Sequence, residues 1–283
     1  MDERLQRRVQ RYGWDKSAAQ YENYWQQQLE PAQERLRELA GCQPGERVLD
    51  VACGTGLVTF PIAKDVGPNG VILGVDISER MIEIARQGAE ERGFLSARFE
   101  RMDAEELHVD DASFDVALCS LGLMYVPNAR HALEEMHRAL ALGARAVVSV
   151  WGKRDRCGWA EIFSIVDARV ASEVCPMFYR LGGDDALLWE MEAAGFTQVM
   201  TERLETRLMY ASADDACGAA FDGGPVALAY SRFDEQVKDE VRAEYLASID
   251  AFRHGDGYAI PGEFVIGVGR KHSTSGIKRS PAV

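Results

Sequence analysis

Gly54 and Gly56 stand in Val-Leu-Asp-Val-Ala-Cys-Gly-Thr-Gly, residues 48–56, between a compact β-branched run and a helical one. Glycine lets a backbone approach a ligand with no Cβ between them. Open α/β sheets bind ligands beyond the carboxyl ends of their strands, where the strand order reverses. Acidic residues mark three successive strand ends. Asp50 closes the first, and Gly74-Val75-Asp76 closes the second, placing Asp76 where a ribose diol would lie. Arg101-Met102-Asp103-Ala104 adds an acid that can accept a hydrogen bond from an adenine amino group. The dinucleotide fingerprint G-x-G-x-x-G is incomplete, because Leu57, Val58 and Thr59 follow Gly56 without a third glycine. The pattern is that of an adenosine-bearing ligand other than a dinucleotide.

Such residues need a sheet to hold them. The apolar runs 47–51, 71–76, 114–120 and 144–151, with 97–102 between them, read as strands. Helical patterns intervene after Gly56, across 79–92 and across 129–140. Strands alternating with helices at this pitch predict an α/β fold with a largely parallel sheet and helices on both faces. A helix over 184–196 and strands over 196–204 and 264–270 complete it. Tyr21, Tyr24, Trp25, Leu29, Leu36 and Leu39 mark one or two amphipathic helices over 15–40. The stretches 152–183 and 205–262 exceed what a minimal wound sheet uses, so they are read as insertions that recognise substrate.

Composition narrows the partners. With 283 residues, 47% hydrophobic and 27% charged, the chain is an ordinary globular one. Its formal charge of −13 opposes phosphate backbones and anionic lipid, so neither nucleic acid nor a membrane is an expected partner. The start of the chain has no apolar leader pattern, and the expected location is cytoplasmic. Six cysteines, at 42, 53, 119, 157, 175 and 217, form no C-x-x-C pair, and no histidine lies at zinc-finger spacing. Reduced thiols and no metal are expected.

The motifs VLDVACGTG, GVDISERMIEIAR, RMDAEEL, FDVALCSLGLMYVPN and LALGARAVVSVW, taken in order, resemble those of class I S-adenosylmethionine-dependent methyltransferases, notably the ubiquinone/menaquinone-biosynthesis-like group (methyltransferase type 11). The likeness covers about residues 15–150 and the EMEAAGFTQV segment. It implies a Rossmann-like seven-stranded sheet with an antiparallel last strand and helical insertions forming a substrate lid. The implied organisation is an N-terminal helical segment (1–45) closing over the cofactor, a methyltransferase domain (46–270) with insertions at 152–183 and 205–262, and a flexible tail (271–283). The cofactor would be S-adenosyl-L-methionine and the product S-adenosyl-L-homocysteine. By the same resemblance Gly54 and Gly56 pass beside the methionine part and Asp50 orients that end. Asp76 takes the ribose hydroxyls, Ile77 and Met81 pack on adenine, and Asp103 and Ala104 meet its edge. Cys119 and Ser120 lie beneath the methionine chain, and Tyr21 belongs to the closing segment. Ala52 stands where many members have glycine.

Methyl transfer from a sulfonium needs alignment more than a protein nucleophile. A base is needed only when the acceptor must lose a proton. His254 and Tyr258, in a glycine-bracketed loop near the last strand, are the catalytic candidates. His108, His131, His137, Glu105 and Glu106 read as solvated groups. Trp159, Phe163, Phe178, Tyr179, Phe221 and Tyr230 crowd the insertions and favour a small, partly aromatic or aliphatic acceptor. The expected function is methyl transfer to a small molecule. The alternatives are a quinone-pathway C-methyltransferase and, from another class, a cofactor-binding regulatory protein without turnover. A nicotinamide oxidoreductase is disfavoured by the missing third glycine. Asp76 is expected to matter for binding and hardly at all for the unliganded fold.

Overall fold

The computed structural model describes residues 3–170 and 177–272. Cys175, part of the first insertion and residues 273–283 of the expected tail lie outside them. Five strands run parallel: β1 (Arg47–Val51), β2 (Val71–Asp76), β3 (Ala97–Arg101), β4 (Phe114–Ser120) and β5 (Leu140–Trp151). β6 (Thr197–Tyr210) is the far edge, and β8 (Gly257–Arg270) lies antiparallel between β5 and β6. The order is β3-β2-β1-β4-β5-β8-β6, and the two-residue β7 (Arg253–His254) pairs with β8. The seven expected strands are present, with β7 as a small addition. The order reverses between β1 and β4, so the ligand position lies above those two strand ends.

Strand alternation divides the core. Val48 and Leu49 are neighbours on β1, yet they enter different apolar clusters on opposite faces. One cluster holds Leu36 and Ala40 of helix α1 (Glu3–Ala40) with Ile62 of α2 (Thr59–Val66). The other takes Leu133 and Met136 of α4 (Ala129–Ala139). Helix α3 (Glu79–Arg92) begins where the Ser78 hydroxyl accepts the Met81 amide and ends at left-handed Gly93.

Two elements are longer than the sequence pattern suggests. α1 is one continuous helix from Glu3, with Pro31 inside it, rather than starting near 15. The β6–β8 ribbon continues past 204 and 264 to the pair Tyr210↔Tyr258, so the second insertion shrinks to 211–256. Pro261 lies inside the extended part of β8. β5 pairs with β8 only as far as Trp151↔Phe264, so Pro261 faces no strand there and its missing N–H breaks no ladder. The Gly158 amide bonds the Pro261 carbonyl on that side.

The ribbon therefore projects beyond the carboxyl ends of the parallel strands. α5 (Glu161–Asp167), α6 (Ala186–Ala193), α7 (Ala213–Phe221), α8 (Ala227–Tyr230) and α9 (Glu235–Ser248) complete the described helices, with α1 and α7 both packing on the ribbon. Gln28 of α1 bonds the Met209 backbone both ways, its Nε2 donating to the carbonyl at 2.6 Å and its Oε1 accepting the amide at 2.8 Å. That clamp closes part of the open edge of β6. No helix of the described residues is long and apolar enough to cross a membrane.

Candidate functional site

A cavity lies above the ends of β1, β2, β3 and β4. Its lining includes nine of the twelve residues expected to bind cofactor: Tyr21, Ala52, Gly54, Asp76, Ile77, Met81, Asp103, Ala104 and Ser120. Asp50, Gly56 and Cys119 are buried outside the lining instead. Gly56 has φ +94°, and a Cβ there would stand 2.7 Å from the Phe60 ring, so this glycine shapes the turn. Gly54 has φ +56° and open space where its Cβ would be. Here the glycine turn leaves the backbone bare towards the cavity.

Asp76 holds the turn together. Its Oδ2 accepts the Gly54 amide and its Oδ1 the Ser78 amide, each at 2.9 Å, and only 8% of the residue is exposed. Burial pushes its carboxyl up to about 6, against the pull of those two N–H bonds. Asp50 is more deeply placed. Its Oδ2 accepts the Thr59 hydroxyl at 2.6 Å, while its Oδ1 is buried without a partner. Burial pushes this carboxyl up to about 7.

Both values lie above the ordinary aspartate range near 3.9. Between about pH 4 and 7 the folded chain therefore keeps protons that the unfolded chain has lost. The stability those protons supply is present in full below the unfolded pKa and is lost as pH rises through the folded values. We expect the melting temperature of the unliganded chain to fall between pH 5.5 and 7.5, and Asp50→Asn to flatten that fall. An identical slope in the variant would show that Asp50 does not titrate there.

The N-terminal half of α1 contributes to the cavity wall; the helical pattern reads only from residue 15, although the family resemblance implies a closing segment over 1–45. Arg7, Gln10 and Trp14 join the lining. Arg7 Nε lies 2.7 Å from Glu105 Oε2 and 3.2 Å from Asp103 Oδ2. Asp15 Oδ1 accepts the Ser78 hydroxyl at 2.6 Å and so ties α1 to the start of α3. Glu105 is correspondingly not the solvated group its sequence position suggested. It is 5% exposed, and its Oε1 accepts the Asn128 amide at 2.8 Å. Glu106, beside it, is exposed. The run over 3–11 is polar and mostly basic, and the residues it buries are Gln6 and Gln10, so no apolar periodicity marked Arg7 in advance.

A second, aromatic cavity adjoins the first and shares Trp14, Tyr21, Leu121 and Tyr125 with it. Trp14 meets Tyr125 edge-to-face at 5.1 Å and Tyr21 at 5.8 Å. Burial raises the Tyr21 phenol, with the Asp76 charge adding to the shift, and burial raises that of Tyr125 as well. Both stay protonated at neutral pH. Trp159 belongs to this second cavity, whereas Phe163 and Phe178 pack behind it as core.

His254 and Tyr258 line neither cavity. His254 is exposed on β7, and Tyr258 is buried at the outer end of the β6–β8 ribbon with its ring under Arg253. The continuation of the ribbon carries both away from the strand ends, so the catalytic role expected from sequence is not supported by position. His137 is half-buried, its ring packed edge-on against Phe196, rather than fully in solvent. Five cysteines among the described residues are free thiols, as expected.

Residues 43–167 match the family described as a methyltransferase domain. An aklanonic acid methyltransferase from a Streptomyces species is 36% identical over 132 residues, covering 47% of this chain and 60% of its own. A ubiquinone/menaquinone biosynthesis C-methyltransferase from Ectopseudomonas mendocina is 38% identical over 117 residues, 41% of this chain and 46% of its own. The chain thus spans about half the length of the curated relatives it matches. Among solved structures, the YcgJ protein of Bacillus subtilis superposes with a TM-score of 0.61 at 18% identity, covering 86% of this chain and 99% of its own. The [4+2]-cyclase SpnF gives 0.57 at 22%, covering 88% and 83%. These two likenesses concern the fold alone. Taken with the glycine turn and the acid-tipped strand ends of the sheet, the matches show that residues 43–167 are similar to a methyltransferase domain, a likeness shared with the enzymes named for aklanonic acid and for ubiquinone and menaquinone.

Proposed function

We propose that the protein transfers a methyl group from S-adenosyl-L-methionine to a small molecule in the cytoplasm, releasing S-adenosyl-L-homocysteine. The observation that carries this reading is the buried Asp76 carboxylate facing the cavity beside Gly54, Ile77 and Met81. A carboxylate with lone pairs to spare suits a ribose diol. Ile77 and Met81 offer an apolar surface for adenine, and Asp103 with Ala104 stands at the next strand end for its amino edge. Asp50 is outside the lining, and its buried, unpartnered Oδ1 suits an indirect role in orienting the methionine end through the adjoining turn. Cys119 supports the loop in the same indirect way, and Ser120 reaches the lining.

When bound, the cofactor supplies an electrophilic methyl group. The chain's own residues bind it, exclude water and align the acceptor. α1 and the 211–256 segment serve as the cover over both ligands, with Tyr21 and Trp14 as the contacts between cover and cofactor. A sheet of this form also carries other chemistry, as the cyclase neighbour shows, so the reading rests on the site and not on the fold. The relatives named for aklanonic acid and for ubiquinone and menaquinone support a small organic acceptor, and quinone C-methylation is the alternative within the same class.

Calorimetry tests the cofactor directly. S-adenosylhomocysteine should bind in the micromolar range or tighter, and NAD and NADP should give no measurable heat. Tight NAD binding displaced by S-adenosylhomocysteine would remove the assignment. Binding of S-adenosylhomocysteine without methylation of any compound in a broad acceptor panel would favour a regulatory protein.

A further inference from the structure

Four of the five tryptophans of the chain, Trp14, Trp25, Trp151 and Trp159, line one aromatic cavity beside the cofactor site. Their rings stand edge-on to one another, Trp151 and Trp159 at 4.9 Å and Trp25 and Trp159 at 6.1 Å. Such walls suit a flat ring, because quadrupoles favour offset and edge contacts. Among the described residues the lining contains no Asp, Glu, His, Lys or Arg. It therefore offers no base to take a proton, no carboxylate to hold an ammonium and no cation to hold a phosphate.

What it does offer is hydrogen-bond donors. The Trp159 indole N–H is buried with no partner among the described residues, and an indole nitrogen can only donate. A buried donor left unmade costs stability, so a ligand that accepts from it gains that energy on binding. Tyr21 and Tyr125 stand where the two cavities meet, and burial keeps both phenols protonated.

Resting on the methyltransferase reading, we infer that this cavity takes the methyl acceptor as a flat aromatic oxyanion, an arenolate or arene carboxylate, methylated on oxygen. The acceptor loses its proton to water before it enters. Its oxygen lone pair forms the new bond to the methyl carbon, the carbon–sulfur bonding pair stays with sulfur, and no proton passes to the protein. The anion is held by the donors of Trp159, Tyr21 and Tyr125 and by the positive charge of the sulfonium, which compensates its desolvation. An aromatic cage can instead hold an alkylammonium through cation–π attraction, and that is the competing occupant.

Two probes separate these cases in the unmodified chain, with tryptophan fluorescence as the readout. 2-Naphthoate and 2-naphthylmethylammonium are titrated into protein saturated with S-adenosylhomocysteine, or with sinefungin, which carries an ammonium near the position of the methyl group. 2-Naphthoate should bind about tenfold or more tightly with sinefungin than with S-adenosylhomocysteine, and more tightly than the ammonium probe in both. Trp159→Phe should weaken 2-naphthoate about tenfold and leave S-adenosylhomocysteine affinity within about twofold. Preference for the ammonium probe, or naphthoate binding indifferent to both sinefungin and Trp159→Phe, overturns the acceptor assignment alone. So does a chain that binds S-adenosylhomocysteine but neither probe. A chain that fails to bind S-adenosylhomocysteine overturns the methyltransferase reading, and the acceptor assignment with it.

Discussion

Asp76→Ala should abolish the thermal shift produced by S-adenosylhomocysteine and should also lower the melting temperature of the unliganded chain. The first effect comes from the ribose hydroxyls. Hydrogen bonds to an ionised group are worth about 1.5–3 kcal/mol each. A pair of them, discounted for competing water at the cavity mouth, corresponds to roughly a hundredfold in affinity. The second effect departs from the expectation drawn from sequence, where Asp76 looked dispensable to the fold. Its two oxygens hold the Gly54 and Ser78 amides. Removing them orphans two backbone donors at about 1–3 kcal/mol each. Relief of a buried, reluctantly ionised carboxylate offsets part of that loss, leaving a net cost of about 1–3 kcal/mol.

Asp76→Asn separates the two roles. The amide oxygen can still accept one of the two backbone N–H groups, and its NH2 can accept nothing. The Asn variant should stay closer to the parent in melting temperature while losing about tenfold or more in cofactor affinity. Calorimetry on both variants, with melting curves with and without S-adenosylhomocysteine, checks the pair. Normal affinity in Asp76→Ala would remove Asp76 from the binding site. Normal affinity with severe destabilisation would make it a purely structural residue.

Much of the sheet was legible because its strands are buried on both faces, and such strands read as unbroken apolar runs. VLDV, VILGVD and FDVALCS needed no tertiary information. The strand ends then fixed where acids and glycines would gather. What could not be read was whatever depends on a distant partner. Arg7 lines the cavity only because Glu105 and Asp103 hold it from 98 and 96 residues away along the chain. The sequence around Arg7 has the composition of a solvated helix. The last strand reads only from 264, and its continuation through Pro261 rests on the absence of a β5 neighbour beyond Trp151, which is a property of the sheet and not of the segment. His254 and Tyr258 drew attention through their glycine-rich surroundings, which turn out to serve the β7–β8 reversal. Glu105 was misread for a related reason: a carboxylate early after a strand usually faces water, and here helix α1 covers it.

Ala52→Gly and Gly122→Ala should be far from additive. Ala52 follows β1 with φ +57°, a left-handed conformation that costs a residue with a Cβ about 1–2 kcal/mol. Leu121, after the adjacent β4, has φ +57° as well, so strain gathers at the two strand ends flanking the point where the order reverses. Ala52→Gly alone should stabilise the unliganded chain by about 0.5–1 kcal/mol, the strain relieved less the entropy that glycine adds to the unfolded state. For a chain of this size that is a rise of roughly 1–4 °C. Gly122→Ala meets the opposite situation. Its new Cβ would stand 2.3 Å from the Ala52 Cβ and 3.3 Å from Cys119 Sγ, with Ala52 and Gly122 both lining the cofactor cavity. One loop must move, which costs about 1–3 kcal/mol or more and disturbs the cavity, so S-adenosylhomocysteine affinity should fall about tenfold or more. In the Ala52→Gly background the offending Cβ is gone and the nearest atom of residue 52 is its Cα, at 3.7 Å. The clash then reduces to the tight contact with Cys119. A double-mutant cycle on melting temperature and cofactor affinity should therefore give a coupling of at least about 1.5 kcal/mol in favour of the pair. Additive effects within about 0.5 kcal/mol would show that the two loops do not touch as the structure places them.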